Sequence, residues 1–119
     1  MDDERDPLLS FRAKSDRWAD RARAEAKAVR LALADGPAAS AAAAAASRRL
    51  FSLVEFIRSA NSRTINSLPA MINEDGVTLD EAEQFRAIAD DILALNGEMS
   101  ALLLANTAAL RATMKRGRR

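Results

Sequence analysis

The chain has 119 residues, of which 49% are apolar and 29% are charged, and its formal net charge is +1. It contains no cysteine, histidine or tyrosine. This composition excludes disulfide bonds, thiolate or imidazole metal sites, and catalytic arrangements built on Ser–His or Cys–His pairs. We therefore predict a protein that is not an enzyme and has no catalytic residues, no metal site and no cofactor.

Alanine accounts for 27 residues, which leaves 31 apolar side chains large enough to fill a core, and 23 of these lie from Leu50 onward. Valine, isoleucine and threonine total only 12, so helix is favoured over sheet and the predicted fold class is all-α. We predict three regions. Residues 1–49 form an alanine- and arginine-rich helix and a thin linker helix that depend on a partner, residues 50–114 form a helical hairpin core, and residues 115–119 form a basic tail.

The first predicted helix begins at Asp6-Pro7, because aspartate caps free backbone N–H groups and proline is tolerated in the first turn. It ends at Asp35-Gly36-Pro37, where glycine permits a turn and proline cannot continue the helix. Between these ends, apolar and small residues recur at steps of three and four from Phe11 to Leu33. This narrow seam is mostly alanine, so we expect the helix to need a partner.

The second predicted helix starts near Pro37 with an alanine-rich stretch over residues 38–46 and ends at Leu68-Pro69, because the residue before a proline disfavours the helical conformation. Its apolar residues from Leu50 onward cover about half of the helix circumference. A face this wide indicates contact with more than one neighbouring helix.

The third predicted helix follows a connection over Pro69–Val77 and runs toward Met114. Thr78 and Glu81 have the spacing of a capping box, with threonine at the cap and glutamate three residues later. Asn96-Gly97 is the weak point at which we expect the helix to bend or break.

The predicted architecture is a three-helix chain in which helices two and three form an antiparallel hairpin, and a coiled-coil-like homo-oligomer covers the remaining apolar surface. The large residues expected to be buried in that assembly are Phe51, Phe56, Ile57, Phe85, Ile92, Met99 and Leu103. The residues predicted to form interfaces are Phe11, Trp18, Val29, Leu33, Phe51, Phe56, Asn96 and Asn106.

The two asparagines have alternative interpretations. Asn96 and Asn106 both fall on the apolar face, where a buried amide fixes helix register and oligomeric state. The alternative is that both lie at the exposed margin of that face, or that Asn96 caps a break in the helix before Gly97. Trp18 has two interpretations as well, since it either packs within its own chain or anchors a partner.

Charge is strongly divided along the chain. Residues 71–98 carry eight acids and one base, whereas residues 99–119 carry five bases and no acid. Complementarity to the helix dipole accounts for such a gradient. The functional alternative is that the basic surfaces contact phosphate or an acidic protein. The candidate residues are Lys115, Arg116, Arg118 and Arg119, and secondarily the bases of the first helix. No aromatic residue interleaves with these bases in the sequence, which disfavours stacking on single-stranded bases.

The opening residues Met1–Asp6 are mostly acidic, unlike a secretory signal, and no apolar run approaches the ~18–20 residues that span a bilayer. We therefore expect a cytoplasmic protein without membrane contact. The high alanine and arginine content is typical of a GC-rich bacterial or phage genome.

The predicted function is association: a helical oligomeric adaptor that binds itself and another protein. One alternative is a nucleic-acid-binding accessory factor for phage or plasmid DNA packaging, partition or mobilisation, using the basic tail. A second alternative is a small helical chaperone or regulator of one client protein.

Overall fold

The computed structural model describes residues 6–36, 40–73 and 76–117, with side chains for residues 8–36, 41–73 and 76–113. It contains four helices, α1 (Asp6–Ala34), α2 (Ser40–Asn66), α3 (Leu68–Ile72) and α4 (Leu79–Gly117). There is no strand in the described ranges. The all-α prediction is confirmed.

The helix ends agree with local sequence signals. α1 spans Asp6–Ala34, and Gly36 follows it with a positive φ of 93°, a conformation that glycine adopts without steric cost. The capping box is formed, since the backbone N–H of Glu81 donates to Thr78 Oγ1 at 3.1 Å and the N–H of Thr78 donates to Glu81 Oε1 at 3.2 Å. The predicted start of helix two at Pro37 lies outside the described residues, and α2 is helical from Ser40.

The predicted connection over Pro69–Val77 is wrong in its first part, which forms the short helix α3. Pro69 lies in the first turn of α3, where its missing N–H has no helical acceptor to lose. The proline therefore ends one helix and opens another. The Glu74 and Asp75 part of the predicted turn lies outside the described residues, and Gly76 has a φ of 87°.

The predicted break at Asn96-Gly97 is also wrong, because α4 is helical without interruption from Leu79 to Gly117. A glycine inside a helix costs only about 1 kcal/mol relative to alanine. Asn96 and the fully buried Met99 contact the rest of the bundle on either side of Gly97. These contacts hold the helical path through the weak position.

The three long helices form one bundle in which each packs against the other two. Ser15 bonds Asn61 and Glu25 bonds Arg49, so α1 and α2 run antiparallel. The bundle is a rod of 65 × 22 × 16 Å. Its length agrees with the ~58 Å expected for the 39 residues of α4.

α2 and α4 also run antiparallel, since Asn61 bonds Asn96 at one level and Asn106 bonds Ser47 at another. These two bonds fix the register between the helices. Residues of α2 and α4 whose numbers sum to about 155 therefore lie at the same level of the rod.

The core consists of two clusters that share α1 and α4. Small residues of α1 belong to the larger cluster, which contains Ala19, Ala22, Ala26, Leu50, Val54, Ile57, Leu95 and Met99. The second cluster is at the α3 end and contains Leu8, Phe85, Ile88 and Ile92. Alanine allows α1 to approach its neighbours closely, so residues 6–34 pack as part of the same body as the segment 50–113.

Four of the seven large residues expected to be buried are buried within one chain, namely Ile57, Phe85, Ile92 and Met99. Leu103 is only partly buried, and the side chains of Phe51 and Phe56 are 53% and 47% exposed. These two rings are five residues apart on α2, which places them about 140° apart around the helix axis. One core cannot cover both.

A chain of buried hydrogen bonds joins all three long helices. The hydroxyl of Ser15 donates to Asn61 Oδ1 at 2.8 Å, and Asn61 Nδ2 donates to Asn96 Oδ1 at 2.7 Å. Ser15 and Asn61 are both 0% exposed. Because a buried polar group without a partner is costly, this polar layer permits one alignment of the helices.

Ion pairs at the surface of the bundle join α1 to each of the other two long helices. Arg12 pairs with Asp91 at 3.1 Å and Arg23 with Glu98 at 2.6 Å, which joins α1 to α4 in parallel. Arg49 pairs with Glu25 at 2.9 Å and joins α2 to α1. Within the described side chains, no ion pair joins α2 to α4.

We expect Asn61→Ala to lower the free energy of unfolding by about 1–3 kcal/mol, since it leaves the buried Ser15 hydroxyl and the half-buried Asn96 amide without their partner. Urea unfolding monitored by circular dichroism measures this. The control replaces the whole layer by Ser15→Ala, Asn61→Leu and Asn96→Leu, and should unfold within about 1.5 kcal/mol of the unsubstituted protein. Equal destabilisation by both variants would contradict the role of the layer.

We expect the Arg23–Glu98 pair to make stability depend on pH. The hydrogen bond from Arg23 lowers the pKa of Glu98 below its ordinary value of 4.5. A carboxylate with a depressed pKa stabilises the fold above its unfolded-state pKa, and this contribution disappears as the pH falls through the folded-state pKa. Because the pair is solvent-screened, Glu98→Gln should cost only about 0.2–1 kcal/mol at pH 7.

The effect of the same Glu98→Gln substitution should shrink as the pH falls into the acid range, because protonation of the carboxyl removes the charge that the substitution also removes. Glu83→Gln is the matched control, because exposed Glu83 has no described ion pair. A Glu98→Gln effect of the same size at pH 7 and at acid pH would contradict this linkage.

Candidate binding surfaces

The predicted interface residues fall into three groups by exposure. Two are buried inside the bundle, Val29 and Asn106. Four are half-buried, Phe11, Trp18, Leu33 and Asn96. Two are largely exposed, Phe51 and Phe56.

Three of the predicted interface residues make their contacts within the chain. Val29 is 1% exposed, and Asn106 donates from Nδ2 to the Ser47 hydroxyl at 2.8 Å. Asn96 accepts its hydrogen bond from Asn61 of the same chain. Both asparagines therefore hold the register of α4 against α2, and Val29 belongs to the interior.

Trp18 lies on α1 between two phenylalanines. Its ring centroid is 5.8 Å from that of Phe11 and 4.8 Å from that of Phe56, with interplanar angles of 79° and 76°. Such edge-to-face contacts add stabilisation beyond the buried area. Trp18 thus packs in part within its own chain, against Phe56 of α2. The Phe56 ring itself remains 47% exposed.

A groove between α1 and α2 continues from this aromatic group. We call it the basic groove, and its lining residues are Arg21, Glu25, Arg48, Arg49, Ser52, Leu53 and Phe56. The Arg49–Glu25 pair neutralises one arginine. Arg21 and Arg48 make no ion pair with a described side chain, so the groove has a positive excess.

A second groove lies between α2 and α4, and we call it the α2–α4 groove. Its lining residues are Glu55, Arg58, Ser59, Ser62, Asn96, Gly97 and Ser100. Gly97 forms a notch in this groove, since a Cβ built there meets no atom within 4 Å. The chain's own packing thus gives no reason for a glycine at this position.

Two exposed apolar side chains extend the α2–α4 groove at one end. Phe51 is seven residues before Arg58 on α2, and Leu104 is seven residues after Gly97 on α4, so each shares a helix face with a groove residue. The register places both at the same level of the rod. Phe51 is 53% and Leu104 72% exposed, so together they form an apolar patch.

The remaining predicted site lies outside the described side chains. It comprises Lys115, Arg116, Arg118 and Arg119 of the basic tail. The backbone is helical through Gly117, so the tail begins as a continuation of α4. Within the side chains that the structure describes, no group of three or more acidic residues is placed to hold a metal ion.

One helix meets the length and composition of a membrane span, namely the stretch Leu79–Thr113 of α4. The expectation that no segment reaches this threshold is therefore corrected. The same stretch contains Asn96, Glu98 and Asn106, whose side chains bond the neighbouring helices of the bundle. These contacts belong to a packed bundle helix, which passes the same test of length and composition.

In the part of the chain that the structure describes, three long helices form a bundle with open grooves along α1–α2 and along α2–α4. Comparison with known protein families, curated proteins and solved structures found no match.

Sequence reasoning missed that the two phenylalanines of α2 serve different grooves. Their five-residue spacing already separates them around the helix, so a helical projection of α2 alone is sufficient to reveal this. The arginines beside Phe56 are a different case. Arg21 and Arg48 are far apart in sequence, and only the packing of α1 on α2 brings them to one groove.

We expect Phe56→Ala to shift the fluorescence emission of Trp18 to longer wavelength, because it removes a ring 4.8 Å away and admits water to the indole. Trp18 is the only tryptophan, so the spectrum reports on this site alone. Phe51→Ala is the matched control, as a half-exposed phenylalanine on the other side of α2. An equal shift in both variants would show that the aromatic group is not formed.

Proposed function

We propose that this protein is a non-enzymatic adaptor that acts by association, binding a second copy of itself along the α2–α4 groove and another protein elsewhere on its surface. The observation that carries this proposal is the set of exposed apolar side chains along that groove, Phe51, Leu93 and Leu104, which are 51–72% exposed. Gly97 lies among them at an exposed position where a Cβ meets no atom within 4 Å, which leaves room for close approach of another backbone.

Exposed apolar side chains favour the same face of the bundle as the interface. Phe51 and Leu104 lie at one end of the α2–α4 groove, and Leu93, 51% exposed, lies four residues before Gly97 toward the other end. Exposed apolar groups arranged along a groove are typical of an interface. A second copy would cover them.

The charges in the α2–α4 groove suit a symmetric dimer. Glu55 and Arg58 are the two charged residues that line it, and they are less than one helical turn apart. A two-fold axis at their level brings Glu55 of each copy to Arg58 of the other. It also brings the patch of Phe51 and Leu104 over the partner copy's Leu93 end of the groove.

A coiled-coil-like pairing of bundles is therefore the proposed oligomer, and a cytoplasmic location is proposed with it. The described polar contacts of α4 within the bundle support that location, because they use the helix to hold α1 and α2.

A nucleic-acid accessory role is the second candidate, supported by the acid-free stretch 99–119, of which residues 99–117 belong to α4. Deletion of residues 115–119 tests it through duplex DNA affinity measured against salt. Loss of affinity and of its salt dependence would support this role, whereas an unchanged, salt-insensitive result would exclude it.

We expect Leu104→Glu to weaken self-association at least tenfold, or about 1.4 kcal/mol, because it places a charge in the apolar patch. Sedimentation equilibrium measures the dissociation constant. Leu104 is 72% exposed, so the monomer should still fold. Leu31→Glu is the matched control, since Leu31 is 59% exposed and lies on the outer surface of α1. A compact monomer at every concentration of the unsubstituted protein would refute the proposal.

A charge exchange tests the arrangement itself. Glu55→Arg and Arg58→Glu alone should each weaken the dimer, and the double variant should restore it, because the pairs re-form with reversed sign. Gly97→Ala should raise the melting temperature through helix propensity and still weaken the dimer by filling the notch. Independent, additive effects of the two charge changes would exclude the two-fold pairing.

A further inference from the structure

The basic groove between α1 and α2 combines two features that the proposed dimer does not use. Its rim has a positive excess, because Arg21 and Arg48 have no described ion-pair partner while Glu25 is already paired with Arg49. Its lining is apolar at Leu53 and Phe56. Neither groove wall carries an unpaired acid among the lining residues.

The aromatic group adjoins the basic groove at Phe56. Trp18 is wedged between Phe11 and Phe56, with the Phe56 centroid at 4.8 Å. Side chains held by mutual contact lose little conformational freedom on binding, and tryptophan and arginine are enriched among the residues that dominate binding energy. The half-exposed Phe56 ring therefore lies in one groove with Arg21 and Arg48, a combination suited to binding a partner.

We infer that the basic groove binds an acidic amphipathic helix of a partner protein. The apolar face of that helix lies on Leu53 and Phe56, and its carboxylates pair with Arg21 and Arg48. Helix-in-groove recognition of this kind requires apolar anchors at steps of three and four residues. On α2 the groove runs from Arg48 to Phe56, about 12 Å of helix, which matches about two turns of a bound helix.

A nucleic acid fits these observations less well. Base stacking needs an accessible ring face, whereas Trp18 is half-buried and its ring is flanked by two edge-to-face neighbours. The whole chain has a net charge of only +1, far below that of a dedicated nucleic-acid binder. The apolar lining at Leu53 and Phe56 favours a protein ligand.

A second copy of the chain also fits less well. Its unpaired exposed acids on α4 include Glu83 and Asp90, and α4 lies on the opposite side of the bundle from the basic groove. Pairing α4 of one copy with the basic groove of another copy is a head-to-tail contact. Such a contact builds an open filament rather than a closed oligomer. The inference is independent of the proposed dimer, which uses the α2–α4 groove.

The test uses the full chain and a designed, fluorescently labelled 20-residue peptide. Leucines at steps of three and four form one face of this peptide, and glutamates flank it. The control peptide keeps the leucines and replaces each glutamate by lysine. Fluorescence anisotropy should show the acidic peptide binding at least tenfold more tightly than the basic one, with a change in Trp18 emission on binding.

Arg21→Glu combined with Arg48→Glu should weaken acidic-peptide binding at least tenfold, and Phe56→Ala about fivefold. Lys27→Glu combined with Arg30→Glu is the matched control, because it makes the same charge change on exposed residues of α1 away from the groove. This control should keep affinity within about threefold. Circular dichroism of each variant verifies that the helical content is unchanged.

Three results would overturn the inference. The first is equal binding of the acidic and basic peptides, or no binding of either. The second is tighter binding of a 20-nucleotide oligothymidine or a duplex than of the acidic peptide. The third is filament growth that Arg21→Glu with Arg48→Glu abolishes. Repeating the titration on Leu104→Glu separates the two proposals, since loss of the dimer should leave peptide binding unchanged.

Discussion

The bundle depends on one buried polar layer, in which Asn61 is bonded to Ser15 on one side and to Asn96 on the other. Apolar contacts alone tolerate sliding, because alanine and leucine recur along every helix of this chain. A central asparagine bonded to two partners prevents such sliding, because a shift of one helix by one turn leaves buried polar groups unpaired. The layer thus converts a nonspecific apolar seam into a single register, and the positions of both grooves follow from that register.

Local signals made much of the secondary structure predictable. The ends of α1 at Asp6 and Ala34 and the capping box at Thr78 are each specified by residues within one turn of the helix terminus. Pro69 was misread because proline both stops and starts helices, and the short α3 uses the second property. Gly97 was misread because contacts from other helices outweigh its small propensity cost.

The arrangement of the site was not predictable in the same way. Asn61 bonds Ser15 across 46 residues and Asn96 across 35, and the sequence around Asn61 does not distinguish it from an exposed asparagine. Arg21 and Arg48 likewise come to line one groove only through the packing of α1 on α2. Trp18 and Phe56 were both among the predicted interface residues, and their ring contact places them on one surface.

The bundle's elongated shape has a consequence for any ligand that lies along it. Helices packed lengthwise on a 65 Å rod meet a nearly repetitive surface, so a bound segment is free to shift by a turn unless some feature stops it. Gly97 is such a feature in one groove and the Trp18–Phe56 pair in the other. Each fixes the position of a bound helix along the rod, so that the bundle selects the alignment of its ligand as well as the ligand's chemistry.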